Sequence, residues 1–206
     1  MIKSPFIIFK EFLSPLECEE ILNSIKIYEP NSDIDGVPLK TILRLPVVQS
    51  RLWNRFSNYF ETIEDYYGIE VDQMTAIDVE WYPEDCVQEA QRCENSVFMH
   101  NHWAIVNDYD LTVIIFLKDF NKSANFDDEF ECYGGELEMI NHAFTVNPQR
   151  GNAIIFPSNQ YFINRTVTPE YGDMFQLRFH ISAVDRMQYS PENYRGNYSI
   201  WFKGLT

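Results

Sequence analysis

The stretch Gly134–Pro157, GGELEMINHAFTVNPQRGNAIIFP, reads as three short strands joined by two turns. Gly134-Gly135 is a turn that opens a strand over 136–140. Ile140-Asn141-His142-Ala143 closes a hairpin, and its histidine is expected at the surface. A second strand follows over 143–146. Asn147-Pro148 then supplies a turn signal before a third strand over 152–156. Gly134-Gly135 is not a phosphate loop, because no helix carrying a lysine follows it.

The same alternating period extends on both sides. Upstream, Ile77, Val79 and Trp81 share one face of a strand, and Asp78, Glu80 and Tyr82 share the other. Further strands are predicted over 97–106, 111–117, 161–167 and 174–182, with Tyr171-Gly172 as another turn signal. Before residue 70 the period is mostly different. Phe6–Phe9 reads as a short strand. Ser14-Pro15-Leu16-Glu17 then combines a capping serine, a first-turn proline and a capping-box glutamate. Cys18, Ile21, Leu22 and Ile25 fall on one helical face, and a second helix is predicted from about 47 to 67, stopped by Gly68.

The expected fold is therefore α+β and mainly β: a double-stranded β-helix, or jelly roll, with N-terminal helices packed on one sheet. The 206 residues suit one domain with a full core. A helical layer spans 10–68, a β-roll 70–183, and a docking tail 184–206 carries Tyr194, Tyr198, Trp201 and Phe202.

Composition narrows the function. A formal charge of −15 repels phosphate backbones and anionic lipid, so neither nucleic acid nor membrane is an expected partner. No run approaches the roughly 20 apolar residues of a membrane span. The opening apolar run is broken by Lys10 and Glu11, so no secretory signal is expected, and the expected location is the cytoplasm or a virion. Cys18, Cys86, Cys93 and Cys132 form no C-x-x-C pair and read as reduced thiols. Asp127-Asp128-Glu129 lacks EF-hand spacing and reads as a solvated loop. Asn164-Arg165-Thr166 matches a glycosylation sequon, with no secretory signal to support its use.

Four stretches resemble the prolyl-4-hydroxylase type of 2-oxoglutarate/Fe(II) oxygenase, including small phage-encoded versions. They are Phe6–Phe9 with Phe12–Cys18, Glu80-Trp81-Tyr82, Leu111–Leu117, and Gly134–Leu137 with Val146–Pro157. The resemblance implies an Fe(II) site made by an H-x-D pair, a distal histidine from a later strand, and a cation beyond it for 2-oxoglutarate. Residues i and i+2 of a strand face the same side, so such a pair can reach one ion. Here the pair reads His100-Asn101-His102. The family pattern puts Arg165 at the distal histidine, next to Asn164, and Met174 at the cosubstrate cation.

His100 and His102 remain the candidate metal ligands, and Arg178 the candidate cosubstrate residue, because Arg178, Gln176 and His180 share the strand face of Met174. Asp108, Asp110 or His180 are the residues left to complete a site. Cupins also use H-x-H in a rolled sheet, but no later histidine here fits their pattern. Two readings follow. In the first, the chain is a non-catalytic or weakly active oxygenase-fold module with no cofactor, binding other proteins, for example within a phage virion. In the alternative it is an active hydroxylase using Fe(II) and 2-oxoglutarate at a non-standard site.

Overall fold

Ser14 and Glu17 cap the first helix reciprocally. The Ser14 amide donates to Glu17 Oε2 at 2.8 Å, and the Glu17 amide donates to Ser14 Oγ at 3.3 Å. This computed structural model describes residues 4–26, 40–41, 46–84, 91–92, 109–122, 129–158, 162 and 164–184. The predicted strand over 97–106 and the aromatic tail lie outside them.

The elements in chain order are β1 (Ile7–Phe9), α1 (Pro15–Lys26), β2 (Lys40–Thr41), α2 (Pro46–Ser57), α3 (Phe60–Tyr67), β3 (Val71–Met74), β4 (Asp78–Tyr82), β5 (Gln91–Arg92), β6 (Leu111–Phe116), β7 (Asp119–Phe120), β8 (Glu131–Cys132), β9 (Leu137–Met139), β10 (Phe144–Val146), β11 (Ala153–Pro157), β12 (Asn164–Thr166) and β13 (Met174–Ala183).

The single helix predicted over 47–67 is two. The amides of Asn58 and Tyr59 bond back three residues, to Arg55 and Phe56, and α3 restarts at Phe60. Asparagine is a poor residue for a helix interior. Both halves bury the same stripe, which is why periodicity did not reveal the break. Gly68 ends α3 in the left-handed region, with its amide 2.7 Å from the Glu64 carbonyl.

Among the described residues, a major antiparallel sheet runs β1-β11-β6-β13-β4-β2, with β3 also paired to β13. A minor sheet runs β10-β9-β12-β5. The major sheet separates two interiors. Val79, Val113, Ile155, Leu177 and Phe179 face the helices and meet Cys18, Leu22, Phe56 and Ile63. Ile114, Phe116, Ile154, Phe156 and Met174 face the minor sheet and meet Leu137, Met139 and Phe162. Phe56 supplies the centre of the first interior, edge-on to both Phe12 and Phe179 at 5.6 and 5.4 Å.

The link from β1 to α1 is clipped to the head of β11. Leu13 donates to the Gly151 carbonyl at 2.9 Å, and Asn152 Oδ1 accepts from the Glu11 amide at 2.9 Å. Gly151 has φ +83°, and a Cβ there would sit 2.0 Å from the Leu13 carbonyl oxygen. Gly68 also has positive φ, but its Cβ would meet nothing within 4 Å. Gly151→Ala is expected to cost roughly 3 kcal/mol or more, from dihedral strain plus overlap, against about 1 kcal/mol for Gly68→Ala. Urea unfolding midpoints of the two variants measure this difference.

Candidate functional site

Strand alternation gives β13 two unlike faces. Phe175, Leu177, Phe179 and Ile181 go to the helix layer, while Met174, Gln176, Arg178 and His180 go to the roll between the sheets. The register sets Gln176 opposite Glu80 of β4, and Arg178, two residues further along on the same face, opposite Asp78. From the minor sheet, β12 turns Asn164 and Thr166 inward, opposite Met139 and Leu137 of β9.

These side chains form a polar cluster inside the roll. Glu80 is 0 % exposed and Arg178 is 2 % exposed. Glu80 Oε2 accepts from Gln176 Nε2 at 2.7 Å, from Arg178 Nε at 3.0 Å and from the Tyr82 hydroxyl at 3.0 Å. Arg178 Nη2 lies 3.3 Å from Asn164 Oδ1, which ties the two sheets together. Asn164 Nδ2 in turn donates to the Phe162 carbonyl at 3.2 Å. Gln176 Nε2 is also 3.3 Å from Thr166 Oγ1, yet Gln176 Oε1 has no hydrogen-bond partner. A guanidinium stays charged in a protein, so its burial requires a compensating acid, and Glu80 is that acid.

His180 sits at the end of the same face. Its Nδ1 is 3.2 Å from Thr112 Oγ1, and its ring stacks on Tyr109 at 4.7 Å. Asp110 is not turned to the cluster's acidic role: its carboxylate accepts from the Ala183 amide at 2.7 Å. His100, His102 and Asp108 lie outside the described residues. Among the described residues no group of three or more His, Cys, Asp or Glu side chains could hold a metal.

Two expectations change. Arg165, matched to the distal histidine, points away from the roll and pairs with Glu138 at 2.5 Å, so Asn164 holds the inward position. A buried Asn164 in a strand also offers no glycan acceptor. His142 is half-buried rather than fully exposed. The turn is a single 3-10 turn over Ile140–His142, and it stacks the imidazole on Phe162 at 4.5 Å with Phe6 edge-on at 5.4 Å. The sequence reading also missed Glu80 as the partner of Arg178. The signal was present in its placement on the inward face of β4, opposite the apolar Val79 and Trp81.

Met174 is 0 % exposed, and its thioether lies 3.6 Å from Cys132 Sγ. A Cβ on Gly135 would come within 3.0 Å of Met174 Cγ, so the glycine leaves room for this side chain. Burial pushes the thiols of Cys18 and Cys132 up to about 12. The residues present do not fit 2-oxoglutarate at the position of Met174. A dianion needs a cation there, the thioether supplies none, and Arg178 along the strand is bonded to Glu80.

The architecture is that of a double-stranded β-helix backed by helices. More narrowly, the chain shares its fold with solved prolyl hydroxylases. It superposes on the viral collagen prolyl hydroxylase of Paramecium bursaria Chlorella virus 1 in its 2OG complex, with TM-score 0.60 and 14% identity, covering 88% of this chain and 97% of that one. A truncated form of the same enzyme gives TM-score 0.58 at 13% identity, covering 88% and 91%. A prolyl hydroxylase from Trichoplax adhaerens, in complex with a hypoxia inducible factor oxygen degradation domain peptide fragment, gives TM-score 0.51 at 13% identity, covering 87% and 84%. No protein-family model and no curated protein matches the sequence. None of the described helices is long and apolar enough to cross a membrane.

Two outcomes test the cluster. Arg178→Met strands the Glu80 carboxylate and is expected to cost roughly 3–5 kcal/mol, most of which returns in the double variant Arg178→Met/Glu80→Leu. Urea denaturation of wild type, both single variants and the double closes that cycle. With thiols at about 12, roughly one in ten thousand is thiolate at pH 8. Cys18 and Cys132 are expected to resist iodoacetamide in the native protein and to react in denaturant, as peptide mass spectrometry would read.

Proposed function

We propose that this protein uses the oxygenase roll as a non-catalytic structural and interaction module whose partners are other proteins. The observation that carries the reading is Met174. A fully buried thioether, packed on Cys132, stands where the resemblance puts the cosubstrate cation. Asn164 supports it from the minor sheet, since its amide oxygen is turned to Arg178 in place of an imidazole turned to a metal. A buried, hydrogen-bonded polar cluster of this kind favours a fixed interior over a vacated active site. The charge of −15 favours basic protein surfaces as partners over nucleic acid or anionic lipid. An assembly such as a phage virion, in the cytoplasm before release, is the setting this reading assigns.

A second reading keeps the hydroxylase chemistry. Its support is the fold itself, together with Arg178 facing into the roll on the face of Met174. In that reading Arg178 releases Glu80 to take a carboxylate of 2-oxoglutarate, and His100 and His102 hold Fe(II).

Anaerobic titration of the purified protein with Fe(II) and 2-oxoglutarate separates the two. The expected result is no visible charge-transfer band. A band that appears with both additions and is lost in His100→Ala would overturn the module reading in favour of the hydroxylase.

A further inference from the structure

Among the described residues, Glu80 Oε2 receives three donors from three side chains: the Arg178 guanidinium, the Gln176 amide and the Tyr82 hydroxyl. A cation, an amide N–H and a phenol converging on one oxygen is the arrangement that recognises a free carboxylate. Gln176 adds a second observation. It is 0 % exposed, and turning its NH₂ toward Glu80 leaves Oε1 with no partner. Flipping the amide would aim an acceptor at a carboxylate, so the carboxylate dictates the orientation and an unpaired buried acceptor is tolerated in return.

We infer that the roll interior contains a built seat for one small carboxylate, formed by Arg178, Gln176 and Tyr82, and that Glu80 fills it from within. Glu80 acts as a resident ligand that closes the seat to free carboxylates. Among the described residues the seat sets one cation against one acid, which matches it in charge to a monocarboxylate group. This inference concerns the interior of the roll alone and does not depend on whether His100 and His102 bind a metal.

Chemical rescue tests it. Glu80→Ala removes every side-chain atom beyond Cβ, and acetate has the same heavy atoms as the group removed. Glu80→Ala is expected to lower Tm by about 10 °C, as for other broken buried pairs in a chain of this size. Sodium acetate is expected to recover roughly half of that loss in a saturable manner, while sodium chloride at equal ionic strength does not. Wild type and Glu80→Gln, whose seats are filled, are expected to show no acetate-specific gain. If Glu80→Ala does not fold, refolding from urea with acetate or with chloride gives the same comparison through the yield of folded protein. Equal effects of the two salts on Glu80→Ala, in Tm or in refolding yield, would overturn the inference, as would an equal acetate gain in all three proteins. The failure of this rescue would leave the Fe(II) titration unaffected, so the two proposals fall separately.

Discussion

Arg178 keeps its charge inside the roll because the Glu80 carboxylate lies 3.0 Å from its Nε. An unpaired guanidinium at that depth would cost several kcal/mol, and a lone carboxylate as much. The pair therefore constrains what surrounds it. β4 must lie beside β13 in the register that sets Glu80 opposite Gln176. β12 must bring Asn164 to the second nitrogen of the guanidinium. Through these contacts the cluster joins the two sheets by polar bonds, while Phe116, Phe156, Phe162 and Met174 join them by packing.

The major sheet carries this load because its other face is anchored. Leu177 and Phe179 alternate with Gln176 and Arg178, and they pack into the helix layer that contains Phe56 and Ile63. A shift of one residue in β13 would exchange the two faces, driving Arg178 into the apolar layer and Phe179 into the polar cluster. The helix layer is tied to the same sheet through the Leu13–Gly151 clip and through Tyr67, whose hydroxyl donates to the Ile155 carbonyl at 2.9 Å. Hydrophobic packing on one side thus holds the register on which the charge pairing on the other side depends.

Much of this was legible in the sequence, for local reasons. The capping box at Ser14, the stop at Gly68 and the alternation of Ile77, Val79 and Trp81 are written in adjacent residues. Their geometry follows from backbone chemistry alone. The shared face of Met174, Gln176, Arg178 and His180 was legible for the same reason. What was not legible depends on tertiary contact. Arg165 and Asn164 are neighbours in a three-residue strand, and pairing with β9 and β5 decides which one enters the roll. Glu80 and Arg178 are 98 positions apart, so nothing local couples them. His142 has the sequence of an exposed turn, and Phe6 and Phe162, coming from distant segments, pack against it.

Likeness in fold to prolyl hydroxylases does not carry their chemistry, since function resides in the side chains a fold presents. Among the described residues, this roll presents a thioether, an amide, and an ion pair already made. A crystal structure grown with excess 2-oxoglutarate and Mn(II) examines that set most directly. The expected density shows Glu80 on Arg178, Met174 against Cys132, and no cosubstrate between the sheets. A 2-oxoglutarate carboxylate bonded to Arg178, with Glu80 turned away, would contradict it.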